Sequence, residues 1–137
     1  MDIQVKKTCI IDDDDVYIYA IKRLMSLQKL CDNVLVFKNG KEAIDYFIAH
    51  KDDVHSLPDI ILIDVNMPVL DGWGFIDEYL ANGFDKTKVA DLYMISSSID
   101  PRDVKKAEAI PVIKKYIFKP ITLDELNAVF GKTRATT

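Results

Sequence analysis

ILIDVNMPVLDGWGF, from Ile61 to Phe75, is the stretch whose reading decides the fold. Apolar and β-branched residues run without polar alternation into one carboxylate, Asp64, and a loop with Pro68 and an Asp71-Gly72 turn follows at once. Such a run reads as a strand buried on both faces, the kind found in parallel sheets. An aspartate ending that strand sits at the carboxyl edge, where open α/β sheets bind their ligands. Taken alone, Asp64 could equally do no more than cap the turn. The rest of the chain decides between the two.

Working outward, the same alternation of strand and helix recurs on both sides. Before the stretch, Thr8 to Asp12 reads as a buried strand that enters the acidic run Asp12-Asp13-Asp14-Asp15. Tyr17, Ala20, Ile21, Leu24 and Gln28 then recur at helical spacing, which predicts a helix from about Asp15 to Lys29. Asn33 to Phe37 is a second strand closed by Asn39-Gly40, and Ala43, Ile44, Phe47 and Ile48 give the next helix one apolar face. Leu57-Pro58 punctuates before the third strand, Asp59 to Asp64. After it, Ile76, Tyr79 and Leu80 mark a third helix that stops near Asn82-Gly83.

Val89 to Ser96 reads as a fourth strand, and Asp100-Pro101 opens a short helix to about Ile110. Pro111 breaks it. Tyr116 to Phe118 is a fifth strand ended by Lys119-Pro120, and Thr122 to Glu125 has capping-box spacing for a last helix to about Phe130. Alternation along the whole chain implies right-handed βαβ crossovers, hence one parallel sheet with helices on both faces. Five such units fit a flavodoxin-like (βα)5 three-layer sandwich with strand order 2-1-3-4-5, an order taken by analogy.

Composition narrows the function classes. The 137 residues make one domain large enough to bury a core, 49% hydrophobic and 29% charged. A formal net charge of −4 without a basic stripe argues against nucleic-acid binding. No apolar run has the length of a membrane span, and MDIQVKKTC lacks a signal-peptide core. Cys9 and Cys31 have no metal-ligand spacing and are too few for a disulfide framework, so a cytoplasmic setting is expected. Nothing reads as a linker or second domain, and only Lys132 to Thr137 reads as frayed.

The strand ends carry the chemistry. In a parallel sheet Asp12-Asp13, Asp64, Ser96 and Lys119 share one edge, bringing together three carboxylates, a hydroxyl and an ammonium. Clustered carboxylates repel one another unless a cation joins them, and Mg²⁺ suits oxygen ligands that leave room for waters and phosphate oxygens. Lys119 and Ser96 supply a positive charge and a hydroxyl donor for a phosphoryl group. A positioned nucleophile with charge neutralisation around it is what phosphoryl transfer requires.

From about Lys7 to Gly131 the chain resembles the receiver domain of two-component response regulators. The matching motifs are Asp12-Asp13 after strand one, IDVNMPVLDG around Asp64, Ser96-Ser97, and YIFKP from Tyr116 to Pro120. The resemblance implies a single receiver domain over 1–137 without an effector domain. It implies that Asp64 accepts phosphate from a sensor histidine kinase or a histidine phosphotransfer protein. Mg²⁺ (or Mn²⁺) would then be held directly by Asp13, mainly through water by Asp12, and by Asp64 and the backbone carbonyl of Asn66. Ser96 would move toward the phosphoryl group, Ser97 would leave it space, and Lys119 would pair first with Asp64. Tyr116 would swing inward and remodel the face of the fourth helix, fifth strand and fifth helix for a downstream protein partner. Asn66 and Ser98 would tune the phosphate lifetime. Relatives of this kind are monomers or phosphorylation-dependent dimers.

Other residues are given plainer roles. Asp14 and Asp15 read as solvated helix-start residues, although a frame with Asp13-Asp14 as the metal pair is open; the length of TCII favours Asp12-Asp13. His50 and His55 lack partners at ligand spacing, Trp73 packs near the site, and Cys9 is a core residue. Two rival classes stand beside the phosphoacceptor. One is a protein-binding module of the same fold without phosphorylation; the other is a phosphohydrolase, whose dehalogenase-type pattern needs an aspartate where this chain has Asn66.

Overall fold

The computed structural model describes residues 7–31, 33–88 and 90–131. Its strands are β1 (Thr8–Ile11), β2 (Val34–Phe37), β3 (Ile60–Ile63), β4 (Asp91–Ser96) and β5 (Ile113–Phe118). Five helices alternate with them: α1 (Asp15–Leu27), α2 (Gly40–Ala49), α3 (Gly72–Ala81), α4 (Pro101–Glu108) and α5 (Leu123–Val129). All strand pairs are parallel, in the order β2-β1-β3-β4-β5, which is the flavodoxin-like arrangement expected.

The two-sided burial of the strands explains why they lack polar alternation. Ile61 and Ile63 enter one core with Phe47, Phe75, Tyr79 and Phe84, while Ile60 and Leu62 enter the other with Ile18, Ile21, Met25 and Leu126. On the first side the four aromatic rings meet edge-on or tilted at 5.5–6.0 Å between centroids, a favoured geometry for aromatic pairs. That cluster fixes α2 and α3 on the sheet, and α3 begins where the Asp64 loop ends.

Each helix starts with a cap just past a strand end. Asp14 accepts the amides of Val16 and Tyr17, Asn39 that of Glu42, Asp71 that of Gly74 and Asp100 that of Arg102. Thr122 and Glu125 form the capping box read from the sequence. These caps satisfy otherwise orphaned amides and hold the carboxyl edge of the sheet open as a rim of helix N-termini.

Several boundaries differ from expectation. β5 starts at Ile113 rather than Tyr116, because Lys114 and Lys115 on this edge strand point outward and disguise the strand pattern. A register shift at Leu92/Tyr93 accommodates the longer pairing. Single helical turns at Val54–Ser56 and Phe84–Thr87 were not foreseen; they are too short to show a period. Gly83 still closes α3, with φ +73, yet it also caps the second of those turns. α1 and α4 each stop two residues short, at Leu27 and Glu108. Val89, Met1 to Lys6 and the Lys132–Thr137 tail lie outside the described residues, so their readings are not judged.

Candidate functional site

Three backbone hydrogen bonds extend the parallel ladder one step beyond the strands and fix the site. The amide of Asp12 donates to the Phe37 carbonyl at 3.0 Å, that of Asp64 to Ile11 at 2.9 Å, and that of Lys119 to Ser96 at 2.9 Å. Asp12, Asp64 and Lys119 therefore leave the same edge of the sheet, from β1, β3 and β5, with Ser96 of β4 between the last two. Gly72 closes the loop behind Asp64: its amide donates to the Val65 carbonyl at 2.8 Å, and a Cβ there would stand 2.4 Å from the carbonyl oxygen of Asp64. Only glycine lets the start of α3 approach so near.

Carboxylate oxygens of Asp12, Asp13 and Asp64 all lie within 4.8 Å of one another. Asp12 and Asp64 are buried and Asp13 is exposed, which makes a cluster open on one side. Asp14 aims its carboxylate at the α1 amides, and Asp15 pairs with Lys38, so neither joins the cluster. Burial raises the Asp12 carboxyl above its ordinary range, outweighing the hydrogen bond from Lys119 and the amide of Asp14. Burial likewise raises Asp64, helped by the field of Asp12 and opposed by Lys119 and the amides of Asn66 and Val65. Two adjacent carboxylates that resist ionisation are short of positive charge. This donor set fits a hard divalent ion with an open coordination side.

Lys119 supplies part of that charge. Its Nζ lies 3.6 Å from Asp64 Oδ2, the expected pairing, and closer still, at 2.8 Å, to Asp12 Oδ2. Burial alone would lower its pKa, but the hydrogen bond with Asp12 and the fields of both aspartates raise it on balance. The Lys119-Pro120 peptide is cis.

Ser96 is fully buried and its hydroxyl accepts the Ser98 amide at 3.1 Å. Ser97 and Asn66 are exposed at the rim. Tyr116 is half-buried, donating its hydroxyl to the Ser98 carbonyl at 3.0 Å, and Ser98 donates its own hydroxyl to Asp103 on α4 at 2.8 Å. His50 stacks on Tyr46 at 4.0 Å, well away from the carboxylates in sequence and bonded to its own helix.

Two features were missed. The Tyr17 ring lies under the Lys119 ammonium at 4.3 Å, and its buried hydroxyl finds no hydrogen-bond partner among the described residues. Helical spacing marked Tyr17 only as part of an apolar face; its place one turn after Asp13 was the available signal. Trp73 donates its Nε1 to Asp103 at 3.3 Å and carries Lys106 over its ring at 4.6 Å. No local pattern links positions thirty residues apart.

With this geometry in hand, comparison with known proteins is specific. Residues 8–130 match the family model described as the response regulator receiver domain. The crystal structure of a two-component response regulator from Cytophaga hutchinsonii is 29% identical with a TM-score of 0.85, the match covering 94% of this chain and 96% of that one. The Mn(2+)-bound form of response regulator Rcp1 shares the fold at 19% identity and a TM-score of 0.72, over 92% of this chain and 90% of its own. A protein-glutamate methylesterase/protein-glutamine glutaminase of Methanococcoides burtonii is 27% identical over 90% of this chain, which spans only 32% of that relative. Among the described residues no helix is long and apolar enough to cross a membrane.

Proposed function

Because the chain belongs to the response regulator receiver domain family, we propose that Asp64 is its phosphoacceptor and that a sensor histidine kinase or histidine phosphotransfer protein in the cytoplasm is the donor. The observation that carries this is the convergence of Asp12, Asp13 and Asp64 oxygens within 4.8 Å beside the Lys119 ammonium. Asp12, Asp13, Asp64 and the backbone carbonyl of Asn66 would hold Mg²⁺ or Mn²⁺, a reading supported by the carboxylate cluster and by a Mn(2+)-bound form of Rcp1, which shares the fold. The bound ion supplies charge neutralisation for the phosphoryl oxygens.

The chain's own groups do the rest. An oxygen of Asp64 forms the new P–O bond as the donor's P–N bond breaks, and the imidazole leaves with the electron pair. Lys119 turns from Asp12 toward a phosphoryl oxygen, and the Ser96 hydroxyl gives up the Ser98 amide to donate to another. Release of that amide loosens the Ser98 backbone, to which Tyr116 is bonded, so the ring is freed to turn inward. Ser97 stays clear of the group, while Asn66 and Ser98 at the rim set how readily water reaches it. The face formed by α4, β5 and α5 is thereby remodelled for a downstream protein partner or for relay to a further histidine.

Incubation with acetyl phosphate and Mg²⁺, followed by intact-mass analysis, tests the reading. Wild type is expected to gain one phosphoryl group and Asp64→Asn none. Equal labelling of both proteins would place the acceptor elsewhere.

A further inference from the structure

Lys119 has three neighbours in the site, and two of them are the anions already described. The third is neutral. The ammonium stands 2.8 Å from Asp12, 3.6 Å from Asp64 and 4.3 Å from the centroid of the Tyr17 ring. A cation at that distance over an aromatic face is attracted by the ring's negative quadrupole, the more so where water is excluded. Only 15% of the Lys119 side chain is accessible, so the contact is largely desolvated.

The ring comes from α1, whose first turn also carries the acidic run. Asp14 accepts the amides of Val16 and Tyr17, which sets the ring's position relative to Asp12 and Asp13. The phenol gains nothing by its hydroxyl in this arrangement: the oxygen is buried and unpartnered among the described residues. Packing alone would be better served by phenylalanine. What the ring does offer is a surface for the ammonium that no metal ion can claim.

We propose that Tyr17 is the positioning residue for Lys119, holding the ammonium within reach of Asp64 once Asp12 no longer does. This rests on the phosphoacceptor reading for its purpose, though not for its geometry. When Asp12 gives its oxygens to a divalent ion, Lys119 loses its nearest anion and, without the ring, would swing toward solvent on its flexible stem. Resting on the ring, it remains beside Asp64 and needs only a short turn to reach a phosphoryl oxygen. The ring is required and the hydroxyl is not.

Tyr17→Phe and Tyr17→Leu separate these roles. With acetyl phosphate and saturating Mg²⁺, Tyr17→Leu is expected to lower the maximal phosphorylation rate about tenfold, the scale of a desolvated cation–π contact. Its half-saturating Mg²⁺ concentration should not rise, and Tyr17→Phe should keep the wild-type rate. A second measurement needs no phosphorylation. The Lys119 side-chain methylene and ammonium resonances should show a ring-current shift in Mg²⁺-loaded wild type and Tyr17→Phe, absent in Tyr17→Leu. Wild-type rates in Tyr17→Leu, or lysine resonances that ignore the ring, would overturn the proposal. If wild type itself takes no phosphate, the phosphoacceptor reading fails, and the positioning role stands or falls on the lysine spectra.

Discussion

Lys119 lies closer to Asp12 than to Asp64, at 2.8 Å against 3.6 Å, so the lysine and a metal ion need the same Asp12 carboxylate. Removing the ammonium leaves two buried carboxylates that only a cation can compensate. Lys119→Ala is therefore expected to bind Mg²⁺ more tightly than wild type, by roughly three- to tenfold, a fraction of the unscreened charge interaction at this separation. Calorimetric titration with the metal alone reads it directly. Weaker binding would mean that Lys119 holds the aspartates in place more than it competes for them.

Asp64 makes the apoprotein pH-sensitive in a definite direction. Burial first, then the field of Asp12, raises its pKa over the unfolded value. Such a group contributes stability fully below the unfolded pKa and loses it as pH rises through the folded one. At neutral pH in chelator the ionised Asp64 is thus a liability. Asp64→Asn should raise Tm by about 3 °C at pH 7, on the order of 1 kcal/mol for a domain of this size. The gain should shrink in acid, as pH falls through the raised folded-state pKa and the wild-type carboxyl protonates. A gain of equal size at pH 7 and in acid would assign it to something other than charge.

Gly72 and Gly83 offer a matched pair. A Cβ at Gly72 would sit 2.4 Å from the Asp64 carbonyl oxygen and 3.0 Å from the Val65 Cα, both backbone atoms that cannot turn aside. At Gly83 nothing lies within 4 Å, and the sole obstacle is φ +73. Gly72→Ala should cost about 2 kcal/mol or more and weaken Mg²⁺ binding, because the displaced backbone carries Asp64. Gly83→Ala should cost about 1 kcal/mol and leave metal affinity unchanged. Chemical denaturation followed by metal titration of both variants separates a site glycine from a conformational one.

These cases also show where the sequence is readable. Asp12, Asp64, Ser96 and Lys119 stand at strand ends, and a parallel sheet has a single carboxyl edge, so local patterns brought the right side chains to one place. The patterns failed where a contact runs between elements. Nothing local to Lys119 says whether Asp12 or Asp64 is nearer, since that depends on ångström-level stagger between β1, β3 and β5. Tyr17 obeys the spacing of an apolar helix face while its ring serves a charge on another element. At β5 the exposed Lys114 and Lys115 hid three residues of strand, an edge-strand habit that imitates a loop.

Trp73, the only tryptophan in the chain, sits on the connection from the site to the proposed output face. It follows Gly72, whose amide holds the Asp64 loop, and its Nε1 donates to Asp103 on α4. Asp103 also receives the Ser98 hydroxyl, and the Ser98 carbonyl receives Tyr116. Release of the Ser98 amide by Ser96 should therefore alter the indole's partner. Starting from the Mg²⁺-loaded state, phosphorylation by acetyl phosphate is expected to shift Trp73 emission. Asp103→Ala should move the resting emission toward that of the phosphorylated protein and remove most of the further change, while Asp64 still takes the phosphoryl group. If Asp103→Ala shows the full wild-type emission change, Trp73 is sensing the site through its own loop, and α4 is not coupled to it by this carboxylate.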